Sequence, residues 1–147
     1  MQEHGLKISE LVTLFGLEVL NKGADYDTAL LTITDVNRPG LQFHSFYDYF
    51  DPRRLQVLGK AEITYLKGLT PEQRRKCFDD LFLYDIPALV ISRGLDCFPE
   101  CLESAQVHER TLLRTEETTV DFTSHTIEYL NRVLAPCVTR HGVLLDI

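Results

Sequence analysis

Apolar residues follow two different spacings in turn along this chain. In some segments they recur every three or four residues, which is typical of an amphipathic helix. Between these segments lie short, nearly continuous apolar runs that are typical of strands. The helical spacing predicts a short helix between Ser9 and Gly16, helices over residues 61–66, 99–107 and 120–134, and a further helix that begins at Pro71. The apolar runs predict strands over residues 17–20, 29–34, 55–58, 87–92 and 111–114.

The helix that begins at Pro71 has the clearest start signal in the sequence. The hydroxyl of Thr70 can accept a hydrogen bond from the first turn, and Gln73 can reach back to the backbone of Thr70, which makes a capping box. Proline suits the first helical position because its missing N–H would have no partner there. Farther along, Phe78 and Phe82 share one face, so this helix is predicted to pack against the core.

The alternation of strands and helices predicts an α/β fold with three layers, in which a mainly parallel sheet has helices on both faces. The run over residues 87–92 is apolar almost throughout, as expected for a central strand that is buried on both sides. No internal repeat, low-complexity stretch or long linker interrupts the pattern. Residues 1–147 are therefore predicted to form a single domain.

The last ten residues, 138–147, alternate as a half-buried strand does. His141, Val143, Leu145 and Ile147 fall on one face of this predicted strand. The pattern stays apolar up to the final residue, whereas most domains end in residues that favour solvent. We therefore expect the chain to be the N-terminal part of a longer protein, with a further domain after residue 147.

The charge and composition narrow the range of partners and compartments. The net charge of −7 disfavours a nucleic acid or an anionic membrane surface as the main partner. No segment approaches the roughly 20 apolar residues that a membrane-spanning helix needs. The amino terminus lacks the apolar core of a secretory signal. These features predict a cytoplasmic protein that binds neither nucleic acid nor membrane.

The four cysteines, Cys77, Cys97, Cys101 and Cys137, are expected to be reduced, because nothing in the sequence directs the protein to an oxidising compartment. A structural zinc site usually has four converging ligands and closer cysteine spacing than this chain offers. Cys97 and Cys101 would lie on one face of a helix, without further ligands beside them in sequence. No metal is therefore expected in this chain.

The segment Thr34–Leu41 is the most distinctive internal motif, and it has two interpretations. Asp35, Arg38 and Gly40 would place a carboxylate, a guanidinium and a flexible backbone at the end of a strand, where α/β folds often bind ligands. The other interpretation is a self-contained turn in which Asp35 accepts backbone hydrogen bonds and pairs with Arg38. Physical chemistry alone favours the self-contained turn.

Four segments of the sequence resemble the N-terminal domain of HPr kinase/phosphorylase. This bacterial enzyme phosphorylates a serine of the phosphocarrier protein HPr in carbon catabolite regulation and also removes the phosphate. The similar segments are residues 34–41 (TDVNRPGL), 54–66 (RLQVLG with Glu62, Tyr65 and Leu66), 87–93 (PALVISR) and 141–147 (HGVLLDI). They follow one another in order over most of the chain.

The resemblance implies that the last segment leads into a nucleotide-binding catalytic domain. It also implies that His141 lies in the active site of the longer enzyme. By the same resemblance, the parent enzyme uses ATP and Mg²⁺, acts on HPr, and forms a homo-oligomer in which this domain accompanies its own catalytic domain. The chain has no Gly-x-x-x-x-Gly-Lys-Ser/Thr phosphate loop, so we expect it to bind no cofactor and to have no activity by itself.

The fold of that family is similar to the N-terminal, uridine-nucleotide-binding domain of the Mur ligases. The short Asp…Arg-Pro-Gly turn at residues 35–40 is the part of this sequence that carries the similarity. Two functions therefore remain open at this point. The chain is either a regulatory or structural module of a protein kinase/phosphorylase, or a domain that binds a nucleotide-like or phosphorylated metabolite through Asp35 and Arg38.

Overall fold

The structure is a computed structural model that describes residues 5–135. The predicted terminal strand over residues 138–147, with His141, lies outside this range, and so does Cys137. The described part contains strands β1 (Leu6–Lys7), β2 (Glu18–Asn21), β3 (Leu30–Leu31), β4 (Val36–Asn37), β5 (Leu55–Leu58), β6 (Leu89–Ile91) and β7 (Leu112–Arg114). Its helices are α1 (Ile8–Phe15), α2 (Gly40–Phe43), α3 (Lys60–Lys67), α4 (Pro71–Phe82), α5 (Pro99–His108) and α6 (Thr119–Val133).

Five of the strands form one sheet in the order β2-β7-β6-β5-β4. Strands β4, β5, β6 and β7 are parallel to one another, and β2 joins β7 antiparallel at one edge. The register places Val57 beside Val90 and Val90 beside Leu113. Parallel strands need a crossover connection, and here each crossover contains a helix. The predicted α/β fold with a mainly parallel sheet is confirmed.

The two faces of the sheet have separate apolar cores, because successive strand residues point to opposite sides. On one face, Val57 and Val90 pack with Phe122 of α6 and Leu11 of α1. On the other face, Leu58, Leu89 and Ile91 pack with residues of the four helices α2 to α5, among them Phe43, Leu66, Phe78, Phe82 and Ala105. The sheet is thus the middle layer of three, as the sequence predicted.

Local signals explain several helix boundaries. The predicted capping box of α4 is present: the Gln73 N–H donates to Thr70 Oγ1 at 3.1 Å, and the Thr70 N–H donates to Gln73 Oε1 at 3.0 Å. Gly16 ends α1 in the left-handed conformation, with φ of 62°. These two predictions are confirmed.

Two elements differ from the sequence prediction. The strand expected over residues 29–34 is only Leu30–Leu31, and it pairs antiparallel with β1 in a separate two-stranded sheet. The turn expected over residues 34–41 contains the edge strand β4 and the short helix α2. Strands β3 and β4 have only two residues each, too few for a repeating apolar pattern to show their bounds. Long-range pairing determines them instead.

Candidate functional site

The carboxyl ends of the four parallel strands lie at one edge of the sheet, where three polar residues and one glycine follow them. Arg38 follows β4, Gly59 follows β5, Ser92 follows β6, and Thr119 begins α6 after β7. Ligands of open α/β sheets commonly bind at this edge. We name Arg38, Gly59, Glu62, Ser92 and Thr119 the carboxyl-edge cluster.

An ion pair between Arg38 and Glu62 is the centre of this cluster. The Nε and Nη2 atoms of Arg38 lie 3.0 and 2.8 Å from Glu62 Oε1. The same oxygen accepts the Gly59 N–H at 2.6 Å, because Glu62 occupies the third position of α3 and completes a capping box there. The carboxylate therefore holds both the loop after β4 and the start of α3.

Gly59 allows three parts of the chain to come close together. A Cβ atom at this position would lie 2.6 Å from both Arg38 Nη2 and Thr119 Oγ1. Such distances are shorter than van der Waals contact, so any side chain at position 59 would displace one of these groups. The absence of a side chain is thus a requirement of the packing rather than of the backbone conformation.

Two hydroxyls connect the sheet to the helix layer that contains α6 at the same edge. Ser92 Oγ donates to the carbonyl of Leu58 at 2.8 Å and lies 2.6 Å from Thr119 Oγ1. Ser92 is fully buried and Thr119 is 5% exposed. These bonds tie the end of β6 to the start of α6, so the buried hydroxyls of both residues have partners.

The loop after β6 makes a tight turn beside this cluster. Arg93 and Gly94 both have φ of 61°, in the left-handed region. Their N–H groups donate to the carbonyls of Glu117 at 2.7 Å and Thr115 at 2.8 Å, which fixes the turn against the loop after β7. A Cβ at Gly94 would lie 2.6 Å from a carboxylate oxygen of Glu116. The edge therefore carries acidic side chains as well as Arg38.

The structure separates the three residues that the sequence grouped as a candidate ligand loop. Arg38 belongs to the carboxyl-edge cluster. Gly40 is the first residue of α2, and a Cβ atom added to it would lie 4.0 Å from Glu62 Oε2. Asp35 forms an ion pair with Arg54 instead, at 3.5 Å, and its side chain is 60% exposed. The expected pairing of Asp35 with Arg38 is wrong, because the guanidinium of Arg38 forms its ion pair with Glu62.

Four members of the cluster, Gly59, Glu62, Ser92 and Thr119, were not identified as site residues from sequence. The Gly59-x-x-Glu62 spacing is a capping-box signal and could have indicated the role of Glu62. Ser92 and Thr119 are far apart in sequence and have no shared motif, so only the fold brings them together. As a whole, the cluster joins loops through internal hydrogen bonds, and it leaves the guanidinium of Arg38 part-exposed, with 41% of its side chain accessible.

A ligand at Asp35, Arg38 and Gly40 stays a prediction. Among residues 5–135, no group of three or more His, Cys, Asp or Glu side chains is placed to hold a metal ion. Within the same range, no helix has the length and apolar character to cross a membrane.

Comparison with known families decides the relationship of this chain. The family described as HPr serine kinase N terminus matches residues 6–130. The chain belongs to this family. The resemblance that the sequence motifs indicated is thus confirmed, and the match ends before His141.

Individual relatives agree with the family match. The HPr kinase/phosphorylase of Clostridium perfringens (strain 13 / Type A) is 40% identical over 143 residues, which are 97% of this chain and 46% of that protein. The HPr kinase/phosphorylase of Clostridium tetani is 42% identical over 143 residues, with the same shares of the two chains. The chain thus spans slightly less than half the length of these relatives.

A solved structure shares the fold. It contains the CBS and DRTGG domains of the regulatory region of Clostridium perfringens pyrophosphatase, complexed with the activator diadenosine tetraphosphate. The TM-score is 0.56 at 14% sequence identity, and the similarity covers 88% of this chain and 54% of that chain. At this identity the likeness concerns the fold alone.

Proposed function

We propose that this chain is the N-terminal regulatory or structural domain of an HPr kinase/phosphorylase, the enzyme that phosphorylates a serine of HPr and removes the phosphate again. The observation that carries the proposal is the alignment of 97% of the chain with proteins of that name at about 40% identity. The parent enzyme is then a cytoplasmic homo-oligomer that uses ATP and Mg²⁺, with HPr as its protein substrate.

The chemistry of phosphoryl transfer supports a division of labour between this domain and the rest of the enzyme. Transfer requires a loop that holds the phosphates, a metal ion and a group that orients the nucleophile. The 147 residues contain no phosphate-loop motif. The Arg38 guanidinium pairs with Glu62 at 2.8 Å. The domain's polar groups are thus used to join its own loops, which is the role of a scaffold.

An assay of phosphate transfer tests this proposal. The 147-residue chain is incubated with HPr and ATP–Mg²⁺, and phosphoserine on HPr is measured by mass spectrometry. A second sample contains a fusion in which the chain replaces the aligned segment of the Clostridium tetani enzyme. We expect no transfer by the chain alone and transfer by the fusion.

The control for the fusion is the segment of the Clostridium tetani enzyme that begins at the residue aligned with His141, without the preceding N-terminal domain. Transfer by the isolated 147-residue chain would contradict the proposal that the chemistry lies elsewhere. A fusion that folds but shows no more transfer than the control segment would contradict the proposed role of this domain.

His141 gives a sharper test within the fusion. By its resemblance to the family's active-site histidine, its replacement in His141→Ala should lower the rate of transfer while the thermal unfolding of the 147-residue chain changes little. Unchanged kinetics in the fusion would remove His141 from the active site.

A further inference from the structure

Exposed apolar side chains are concentrated where the loop after α2 meets the end of α4. Nine large apolar side chains are exposed within residues 5–135, and five of them belong to residues 41–49 and 83–84. These five are Leu41, Phe46, Tyr49, Leu83 and Tyr84. Single exposed apolar residues are common on protein surfaces, but a concentration of them is typical of a surface that contacts another molecule.

Aromatic contacts hold this part of the surface in place. The ring of Tyr47 stacks on the ring of Tyr84, with 4.8 Å between centroids and 11° between planes, and Phe50 meets the same ring edge-on at 5.0 Å. The Phe50 N–H donates to the Tyr47 carbonyl at 3.1 Å, which closes a turn. Asp48 and Tyr49 are the two central residues of this turn. Both ends of the turn are thus fixed, while its two central side chains are exposed.

A tyrosine on a fixed turn is well suited to bind a partner. Tyr49 is 91% exposed, so almost the whole ring is available for contact. A tyrosine side chain has few rotatable bonds and loses little conformational entropy when it is covered. Because the turn is already ordered, binding does not have to fix its backbone. We name Phe46, Asp48, Tyr49, Leu83 and Tyr84 the aromatic surface.

The charges around the aromatic surface indicate the chemistry of its partner. Asp51 and Asp85 flank the surface in sequence, and each already has a cation: Arg53 lies 2.8 Å from Asp51, and Arg110 lies 3.0 Å from Asp85. Asp48 is exposed and has no ion pair within the described part of the chain. The surface therefore offers an unpaired carboxylate beside exposed aromatic rings.

An arginine of a partner would match both of these features. A guanidinium pairs with a carboxylate through two N–H groups and also stacks on aromatic rings. Apolar side chains beside the arginine would cover Tyr49 and Leu83. A second copy of this chain matches less well, because two chains that each carry a net charge of −7 would meet at an acidic surface.

We propose that the aromatic surface binds another protein through a segment in which arginines alternate with apolar side chains. An arginine of that segment pairs with Asp48, and its apolar side chains cover Tyr49 and Leu83. The aromatic surface shares no residue with the carboxyl-edge cluster and has no part in phosphate transfer. The proposal therefore does not depend on the proposed function.

A titration followed by nuclear magnetic resonance tests the proposal on the 147-residue chain. The probe is a short amidated peptide in which arginine alternates with leucine and which contains one tryptophan. We expect shifts of backbone amide signals to be concentrated in residues 41–50 and 83–85. An analogue with glutamate in place of each arginine should bind at least about tenfold more weakly. Equal affinity for the two peptides, or shifts concentrated elsewhere, would overturn the proposal.

Three variants separate a specific contact from general attraction to an acidic chain. Tyr49→Ser should weaken peptide binding about tenfold, and Asp48→Asn about fivefold, with a smaller difference at high salt. The control is Val120→Ser, since Val120 is also exposed but lies in α6, in the opposite helix layer. It should bind as the wild type does. An equal loss of affinity in Val120→Ser and Tyr49→Ser would overturn the proposal.

Two further measurements distinguish the other possible occupants of the aromatic surface. Sedimentation velocity of the wild-type chain without peptide should show a monomer. Self-association that Tyr49→Ser abolishes would assign the surface to a second copy and overturn the proposal. Sedimentation with phosphatidylcholine vesicles should leave the chain in the supernatant, and vesicle binding that Tyr49→Ser abolishes would overturn the proposal in favour of a lipid surface. Tyr49 is exposed, so this variant is expected to fold, and thermal unfolding checks that it does.

Discussion

The two faces of the sheet bury similar apolar residues but differ in how their helices are connected. On the face covered by α4 and α5, Asp79 Oδ1 accepts hydrogen bonds from Ser104 at 2.6 Å and from Arg75 at 3.0 Å, and lies 3.2 Å from His108 Nε2. On the face covered by α1 and α6, the contacts are mainly apolar. Among the described residues, the buried hydroxyls of Thr123 and Thr126 in α6 have no hydrogen-bond partner.

This difference allows the contribution of apolar burial to stability to be measured separately from the contribution of buried polar contacts. Apolar burial is non-directional and tolerates small displacements, whereas a shared acceptor such as Asp79 fixes the register of two helices. We therefore expect α4 and α5 to be more sensitive to the loss of one polar group than α6. Apolar truncations should affect both faces alike.

The largest expected effect concerns the burial of apolar side chains. Phe78 on one face and Phe122 on the other are both fully buried. Each substitution to alanine leaves a cavity and should lower the free energy of unfolding by about 3–5 kcal/mol. Urea unfolding of the two variants, followed by circular dichroism, measures this. A cost for one variant that is less than half the cost for the other would contradict the equal apolar burial of the two faces.

How far the sequence predicts this fold can be judged from the same residues. The helical spacing of Phe78 and Phe82 and the capping residues of α4 are local signals, so α4 was predicted correctly. The apolar run that contains β6 was likewise enough to predict a central strand. In contrast, β1 and β4 are two residues long and pair with strands that come much later in the chain, so no local pattern predicted them. Of the strand predicted over residues 29–34, only Leu30–Leu31 is a strand.

The same difference between local signals and long-range contacts applies to the candidate site. Arg38 was identified because its motif is contiguous, but its partner Glu62 was not, since the two are brought together only by the parallel pairing of β4 and β5. The contact between Ser92 and Thr119 likewise requires the whole sheet. Sequence reasoning thus found residues of unusual type and missed the geometry that determines what they contact.

A second prediction concerns Gly59, the N-cap residue of α3, which lies against Arg38 and against Thr119 at the start of α6. In Gly59→Ala the new methyl group would lie 2.6 Å from Thr119 Oγ1 and from Arg38 Nη2. Arg38 can move only by weakening its bonds to Glu62, and Thr119 is buried. We expect a loss of about 2–3 kcal/mol in the free energy of unfolding, as for other overpacked sites.

Gly68→Ala is the matched control for Gly59→Ala. Gly68 ends α3 with φ of −78°, and an added Cβ would be 3.5 Å from the carbonyl oxygen of Tyr65, an ordinary contact. This variant should unfold at nearly the wild-type urea concentration. Equal losses of unfolding free energy in the two variants would show that the contacts with Arg38 and Thr119 do not exclude a side chain at position 59.

A third prediction concerns the polar connection between α4 and α5. In Asp79→Asn the shared acceptor loses its charge, and we expect a cost of about 1–2 kcal/mol at neutral pH, since 35% of the side chain is exposed and water screens part of the effect. The control is Asp80→Asn, which removes the surface ion pair with Lys76 and should have a smaller effect.

The pH dependence of this cost follows from the pKa of Asp79. Burial opposes ionisation, but the hydrogen bonds from Ser104, Arg75 and His108 outweigh it, so the pKa lies below its ordinary value. A depressed pKa in the folded state stabilises the fold above the pKa of the unfolded chain. This stabilisation is lost as the pH falls through the folded pKa. The difference between wild type and Asp79→Asn should therefore shrink below about pH 4, and a constant difference would contradict the assignment.

The smallest expected effect separates two threonines on the same buried face of α6. Thr119 is bonded to Ser92 at 2.6 Å, whereas the fully buried Thr126 hydroxyl lacks a partner within the described structure. Valine has nearly the shape of threonine and a similar helix propensity, so the exchange tests the hydroxyl alone. Thr119→Val should lower the free energy of unfolding by about 0.5–1 kcal/mol, and Thr126→Val should leave it unchanged or raise it by about 0.5 kcal/mol. Paired urea titrations give the sign of each change. A loss of stability in both variants would mean that the Thr126 hydroxyl is hydrogen-bonded, and that the face covered by α6 depends on polar contacts as much as the face covered by α4 and α5.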